Sequence, residues 1–389
     1  MLSRDKICIF RSSAPGLRQL YILAEILYKG EIGLKNTAYL VLENGKTFKG
    51  KFFGQPGNVI GEVVFSTSMN GYIETLTDPN YFGQIVVQTF PLIGNYGVMF
   101  SDFESSDVKV SAYIVKQLCE VPSNFRSEGD LDTFFKEKNI TCLCGIDTRA
   151  LTKTLRENGT MNGIITDNPD NVDFDKIKSY KVSDAVASTT CEKTYTVGEK
   201  EKNVVLYDFG TKESIKEKLM KCLDCKVTVI PAGTPAAEVI KMNPDGIVFS
   251  NGAGNPEDNQ GIIENVRELF KSDIPMLGIC LGHQIMALAN GFKCGKLKYG
   301  HRGANIPVKS SETGRVYITS QNHGYEVISE SVDKDKAEVL FFNINDKSCE
   351  GIEYKNAKAF SVQFYPDAAN GLCDTTFIFE KFSRMMEGR

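Results

Sequence analysis

The sequence is poor in histidine, with only His283, His301 and His323 in 389 residues, and it carries no large excess of either charge, the formal net value being −4. So small a net charge gives no electrostatic ground for nucleic acid or an anionic membrane as partner. No apolar run approaches the roughly 20 residues that a bilayer-spanning helix needs. Eleven cysteines are present, but their number is odd and their spacing irregular. Cys142 and Cys144 form one CxC and Cys222 and Cys225 one CxxC. Neither has the second pair or the histidines of a zinc site, so no metal is expected. Most of the thiols read as buried structural residues. No secretory signal is recognisable, and a reducing, cytoplasmic location is the expectation.

What is present is enough for two domains of ordinary size. The stretch 1–37 is basic (Arg4, Lys6, Arg11, Arg18, Lys29, Lys35) with an apolar patch from Leu20 to Tyr28 that Glu25 interrupts. A helical extension and an upstream start are both open readings. From Ala38 the pattern turns to strands: Ala38 to Leu42, an Asn44-Gly45 turn, then Thr47 to Phe52, Val63 to Ser66 and Ile85 to Thr89. A helix is expected over Asp147 to Asn158, closed by Gly159. Residues 38–190 form a β-rich first domain on this reading. The polar, charged stretch 191–202 reads as a linker to a second domain over 203–389.

The second domain alternates short apolar strands with helices. Val204 to Tyr207, Val227 to Ile230, Gly246 to Phe249 and Met276 to Ile279 are the strands. Ser214 to Leu223, Ala236 to Met242 and Ile262 to Phe270 are the helices, the last with Ile262, Ile263, Val266, Leu269 and Phe270 on one face. Such alternation predicts an α/β fold with a mainly parallel sheet flanked by helices, its ligand site at the carboxyl ends of the strands. Strands after Arg315 suggest an antiparallel extension, and Phe377, Phe379, Phe382, Met385 and Met386 a closing helix.

Three segments carry possible chemistry. Gly278-Ile279-Cys280-Leu281-Gly282-His283-Gln284 joins an apolar strand to the helical run Ile285 to Asn290. A cysteine there would be held on a tight turn at a helix N-terminus, whose N–H groups favour a thiolate and can hold an oxyanion. A merely buried cysteine on a glycine-rich turn fits the same residues. Ser250-Asn251-Gly252-Ala253-Gly254-Asn255-Pro256 offers backbone N–H groups to a small ligand, or is an ordinary turn. Thr319-Ser320-Gln321-Asn322-His323-Gly324-Tyr325 reads as a bend rich in amide, imidazole and phenol groups.

Together these segments resemble a class I glutamine amidotransferase of the carbamoyl-phosphate synthase small-subunit family. Phe65-Ser66-Thr67-Ser68-Met69-Asn70-Gly71-Tyr72 and Leu76-Thr77-Asp78-Pro79-Asn80-Tyr81 extend the likeness through the first domain, with Tyr207-Asp208-Phe209-Gly210 and Asn243-Pro244-Asp245-Gly246 in the second. The resemblance implies glutamine hydrolysis, with ammonia passed to a large synthetase subunit that uses bicarbonate, ATP and Mg to make carbamoyl phosphate for pyrimidines and arginine. This chain would itself hold no cofactor, and its first domain would carry the contact with the large subunit. Cys280 would be the nucleophile, and the N–H groups of Gly252 and Leu281 the oxyanion hole. Gly254, Gln284, Asn322, Gly324 and Tyr325 fall on glutamine-binding positions, Tyr325 in place of a usual Phe. Asn80 replaces a glutamine-contacting Ser.

One departure touches the reaction itself. Where the family reads His-Pro-Glu, this chain has Tyr365-Pro366-Asp367. Asp367 keeps a carboxylate, one methylene shorter, but a phenol is a poor proton acceptor at neutral pH. The expectation is glutamine binding weakened modestly and hydrolysis impaired severely, softened because a cysteine ionises more easily than a serine. The alternatives are a non-catalytic partner of an ammonia-using large subunit and an amidotransferase serving another synthetase, which the first-domain motifs disfavour.

Overall fold

The computed structural model describes residues 36–367 and 374–388; the basic extension, up to residue 35, lies outside them. The apolar, β-branched runs of the first unit close into a barrel. Its strands are β1 (Thr37–Leu42), β2 (Thr47–Gly54), β3 (Val59–Ser66), β4 (Gln84–Gln88), β5 (Ala112–Ile114), β6 (Thr141–Cys144) and β7 (Met161–Thr166). Around the barrel they run β1-β2-β6-β5-β4-β3-β7, and β7 pairs back with β1. Alternate residues serve two clusters, as a period of two requires. Val63, Phe65, Ile85 and Val87 pack with Leu151 and Leu155. Val64, Val86 and Tyr113 pack with Ile73, Leu76 and Phe135. The helices concerned are α1 (Tyr72–Thr77), α2 (Leu131–Glu137) and α3 (Thr148–Asn158). Asp147 caps α3 by accepting from the Ala150 N–H, and Gly159, at φ 96°, ends it. Two short helices, α4 (Phe174–Ser179) and α5 (Ala185–Thr189), lead out of the barrel.

The second unit is one ten-stranded sheet. Its strands are β8 (Tyr195–Val197), β9 (Asn203–Phe209), β10 (Lys226–Pro231), β11 (Gly246–Gly252), β12 (Met276–Ile279), β13 (Cys294–Ser310), β14 (Val316–Val327), β15 (Ala337–Asn343), β16 (Cys349–Tyr354) and β17 (Ala359–Val362). They lie in the order β8-β10-β9-β11-β12-β17-β16-β14-β13-β15. The pairings β10–β9, β9–β11, β11–β12 and β12–β17 are parallel. The remaining pairings are antiparallel, so the sheet is mixed rather than mainly parallel. Odd-numbered residues of β9 and β11, such as Val205 and Ile247, share a cluster with Val239, Ile263, Val266 and Ile285. Even-numbered ones, Val204 and Val248, share another with Ile215, Leu219, Phe379 and Phe382. The helices supplying these residues are α6 (Glu213–Leu223), α7 (Ala236–Lys241), α8 (Gln260–Leu269), α9 (Leu281–Ala289) and α10 (Phe377–Met386). No described helix is long and apolar enough to cross a membrane.

Two further expectations need correction. The stretch read as a linker contains β8, which pairs antiparallel with β10 through Tyr195, Thr196 and Val197. An exposed edge strand needs few apolar residues, so its composition hid it. The segment Thr319 to Tyr325 is no bend but the middle of the twelve-residue strand β14. Gly324 is not among the glycines of positive φ, and β-formers on both sides extend the strand through it. The described cysteines are all free, with Cys222 exposed and Cys225 buried.

His301, on β13, ties that strand to the turn after β15, its Nε2 lying 2.7 Å from Asp346. Burial alone would lower its pKa, but Asp346 and Glu350 outweigh it and raise the imidazole to about 9. A histidine raised on folding stabilises while it is protonated. Its contribution is complete below 6.5 and lost as pH rises through 9. The expected loss is up to about 3 kcal/mol. Urea unfolding at a series of pH values should show this decline in the wild type, and His301→Asn should remove that part of it.

Candidate active site

Four parallel strands bring their carboxyl ends to one place. Strand β9 ends before Gly210 and Lys212, β11 ends on Gly252, β12 before Cys280, and β17 before Gln363 and Tyr365. Cys280 sits between β12 and α9 at φ 54° and ψ −103°, a conformation that side chains rarely adopt. Its N–H is anchored by the Val362 carbonyl at 2.9 Å. The flanking glycines are required by space. A Cβ on Gly278 would lie 2.8 Å from the Gly282 carbonyl oxygen, and one on Gly282 would run into the Phe249 carbonyl. A Cβ on Gly252 would meet the Leu281 side chain at 2.6 Å.

The barrel completes the site. After α1 a single turn of 3₁₀ helix, Pro79–Tyr81, is capped by Asp78, which accepts from the Asn80 N–H at 3.0 Å. The Asn80 side chain crosses to the second unit. Its Nδ2 lies 2.6 Å from the Tyr365 hydroxyl, 3.5 Å from the Cys280 sulfur and 3.3 Å from the Asn322 carbonyl. Its Oδ1 accepts from Asn251 Nδ2 at 2.7 Å. Asn322 in turn donates through Nδ2 to Asp78 at 2.8 Å. Asn80, Asn322, Cys280 and Tyr365 therefore form one buried cluster drawn from both units.

Asp367 does not join Tyr365. It accepts from Lys212 Nζ and from the Ser214 hydroxyl, both at 2.8 Å. Lys212, itself buried, also faces Glu104 at 3.2 Å and stands 4.6 Å above the Tyr365 ring. Burial would drive its ammonium toward neutrality, but Asp367, Glu104 and Asp78 reverse that and raise its pKa. Burial likewise opposes ionisation of Asp367, and Lys212 overcomes it, holding the carboxyl low. Sequence reasoning missed Asp78, Glu104 and Lys212 as site residues. Asp78 lies inside a quoted motif, and Lys212 follows another by two residues.

The thiol is poorly placed to ionise. Burial, then the Asp78 carboxylate, pushes Cys280 up to about 12, while the Tyr365 hydroxyl, the Leu281 N–H and Asn80 act in the other direction. Asp78 is itself pushed up to about 6 by burial. Burial, with Asp78 and Cys280 nearby, raises Tyr365 well above an ordinary phenol. The ease of ionisation that the sequence suggested for a cysteine is thus cancelled by its surroundings. None of the three imidazoles hydrogen-bonds Cys280. His283 holds Ser361 through Nδ1 and is lowered to about 3 by burial. His323 donates from Nδ1 to the Tyr325 carbonyl at 2.7 Å and turns Nε2 to Gln321 at 2.8 Å.

A cavity of about 400 Å³ opens on the sulfur, lined among others by Gly252, Gly254, Gln284, Asn322, Gly324 and Tyr325. Gln284 is fixed by donating Nε2 to the Tyr325 carbonyl and to Gln363. Leu281 begins α9 directly after the nucleophile candidate. For a metal, the described residues offer one cluster, His301, His323 and Glu350, with ligand atoms within 4.8 Å. Glu350 accepts from Gln321 at 2.9 Å and His301 pairs with Asp346 through Nε2, while the buried His301 Nδ1 has no hydrogen-bond partner among the described residues and lies 3.5 Å from Glu350.

A cysteine on a strand-to-helix elbow, with a polar cavity over its sulfur, is the arrangement of a thiol amidotransferase, and the family model for glutamine amidotransferase class-I matches residues 205–385. The model described as carbamoyl-phosphate synthase small chain, CPSase domain, matches residues 40–165. The carbamoyl phosphate synthase small chain of Syntrophotalea carbinolica is 45% identical over 374 residues, covering 90% of this chain and 98% of that one. Its counterpart in Clostridium perfringens is 45% identical over 349 residues, 89% and 99% of the two chains. That of Caldanaerobacter subterraneus is 47% identical over 345 residues, 88% and 95%. The chain belongs to the family of carbamoyl phosphate synthase small chains.

The buried thiol sets an order of reactivity. A small undirected reagent such as iodoacetamide should alkylate the exposed Cys222 well before Cys280. The Cys280 rate should keep rising with pH, with no plateau below the thiol's own pKa. Mass spectrometry of timed digests measures both. An early plateau for Cys280 would mean that a neighbouring group ionises it.

Proposed function

We propose that this chain is the glutamine-handling subunit of a carbamoyl phosphate synthase and that its hydrolysis of glutamine is slow. Ammonia from this site would pass to a large subunit, where ATP and Mg serve the synthesis of carbamoyl phosphate for pyrimidine and arginine formation. The observation that carries the second half is the contact of Asn80 Nδ2 with the Tyr365 hydroxyl at 2.6 Å, beside a Cys280 sulfur that has no imidazole partner.

The chemistry follows from the groups in reach. Cys280 must lose its proton to attack the side-chain amide carbon of glutamine. The carbonyl oxygen then takes negative charge, and N–H groups at the start of α9 and at Gly252 are suited to hold it. A proton must reach the departing nitrogen, and a water must be activated to release glutamate from the thioester. Each step calls for a group that exchanges a proton near neutral pH. Tyr365, raised above an ordinary phenol, can donate a hydrogen bond to a thiolate but cannot accept its proton. Asp367, held in its anionic form by Lys212, is engaged away from the sulfur.

The same facts support a second reading, in which the chain no longer hydrolyses glutamine and serves as the partner of a large subunit fed by free ammonia. One pair of measurements on the complex with its large subunit separates the two and tests both. Wild type should make carbamoyl phosphate from ammonia much faster than from glutamine. Tyr365→His returns an imidazole beside Pro366, whose fixed φ preserves the direction of the chain. The glutaminase rate should rise about 10²-fold or more, the size of a general base, and Asp367→Glu should add to it. Ammonia-dependent synthesis should stay unchanged. Failure of both variants to hydrolyse glutamine favours the non-catalytic reading. A wild-type rate equal to that of the His variant overturns the impaired site.

A further inference from the structure

His301 and His323 face each other directly across the β13–β14 pair, their ring centroids 5.0 Å apart. Glu350 of β16, fully buried, comes up to them with Oε1 3.5 Å from His301 Nδ1. Each ring is held by its other nitrogen. His301 Nε2 lies 2.7 Å from the Asp346 carboxylate, and His323 Nδ1 donates to the Tyr325 carbonyl at 2.7 Å. Metal-ligating histidines are fixed in this way, the outer N–H tied to a carboxylate or a carbonyl so that the inner nitrogen is aimed at the ion.

The inner nitrogens are badly matched to their surroundings. His301 Nδ1, although buried, has no hydrogen-bond partner among the described residues. With its proton on Nδ1, His323 presents a bare Nε2, and the atom in front of it at 2.8 Å is Gln321 Oε1, a second acceptor. Another proton on that ring would bury a charge. Turning the Gln321 amide over only moves the conflict, because its oxygen would then face Glu350, which accepts from Gln321 Nε2. A cation between the three groups would satisfy all of them. Donors around a tetrahedral zinc with bonds of about 2.0–2.2 Å stand roughly 3.3–3.5 Å apart. His301 Nδ1 and Glu350 Oε1 stand at that separation, and the three ligand atoms lie within 4.8 Å of one another. The half-exposed Asp346 marks the way in from solvent.

We propose that His301, His323 and Glu350 bind a divalent transition-metal ion, zinc by its chemistry, with Asp346 and the Tyr325 carbonyl orienting the two imidazoles. Two nitrogens and one oxygen suit zinc or cobalt and do not suit Mg or Ca, which take oxygen ligands. Gln321 swings aside, a water completes the tetrahedron, and any proton on His301 Nδ1 leaves to solvent as the ion enters. The ion ties β13, β14 and β16 together beside Asn322 and takes no part in the chemistry at sulfur.

Titration of the reduced, metal-stripped full chain with Co²⁺, followed by its visible spectrum, tests the site against the many cysteines. Wild type should take up one equivalent with the d–d bands of a nitrogen and oxygen site and no thiolate charge-transfer band. Zn²⁺ should displace the Co²⁺ and excess Mg²⁺ should not. His301→Asn and Glu350→Gln should each weaken Zn²⁺ by about 100-fold or more, and Asp346→Ala, which keeps all three ligands, by about 10- to 100-fold. Cys222→Ser should leave binding unchanged. A wild type that takes up no Co²⁺, that shows the thiolate band alone, or that binds as tightly as a folded His301→Asn overturns the proposal and leaves the glutamine site untouched. Should His301→Asn and Glu350→Gln fail to fold, the wild-type spectrum and the affinity of Asp346→Ala decide it: equal affinity of Asp346→Ala and wild type overturns it as well.

Discussion

The Lys212 ammonium is buried among groups from two distant parts of the chain. Glu104 comes from the segment that packs between barrel and sheet, Asp367 from beyond the last parallel strand, and the Tyr365 ring from the strand end between them. Desolvating a cation is expensive, and it persists here because two carboxylates and an aromatic face replace water. Removing one partner from such a set typically costs about 3–5 kcal/mol, since the others stay buried without it. The arrangement fixes the two units of the protein against each other at the point where Asn80 reaches the sulfur. It also determines what Asp367 can do. Both of its bonds, to Lys212 and to Ser214 at 2.8 Å, fall on Oδ2, while the buried Oδ1 has no partner among the described residues.

Two positions that the motif resemblance marks as departures, Asn80 and Tyr365, are hydrogen-bonded to each other. Neither could be read alone. Asn80 in place of a serine looked like a weakened substrate contact, and Tyr365 in place of a histidine like a lost base. In the folded protein the amide of one satisfies the hydroxyl of the other, in a place where an unpaired polar atom would be costly. The pair is thus accommodated structurally, and it sets beside Cys280 an amide whose Nδ2 lies 3.5 Å from the sulfur.

The parallel strands and their helices were legible because each is nearly continuous in apolar residues or apolar on one face; Ile263, Val266 and Leu269 of α8 all fall in the core. The elbow was legible because glycine on both sides of Cys280 has a steric cause that composition preserves. The long strand β13 was not, since Lys296, Lys298, His301 and Arg302 interrupt its pattern. Those residues are polar because the strand faces the barrel and the cavity, and its partners lie far away in sequence: Lys296 pairs with Glu62, and Thr67 holds the Arg302 carbonyl. Asp78, Glu104 and Lys212 escaped for the same reason. A buried charge is recognisable only when its partner is, and here the partners are separated by more than a hundred residues.

Burial decides how much a proton acceptor beside Cys280 would matter. An exposed cysteine supplies a few per cent of thiolate at neutral pH and can act slowly without help. Cys280, pushed up to about 12 by burial and then by Asp78, supplies far less. The N-terminus of α9 and the Tyr365 hydroxyl favour the thiolate, yet they do not offset burial and the Asp78 carboxylate. A buried nucleophile of this kind depends on a partner that takes its proton as attack proceeds, because the charge is then never left alone in a poor solvent. An imidazole at position 365 would do that, and a phenol raised by the same burial and the same Asp78 carboxylate cannot. Burial thus opposes ionisation of the thiol and of the phenol alike, and the proposed slow hydrolysis rests on that shared environment.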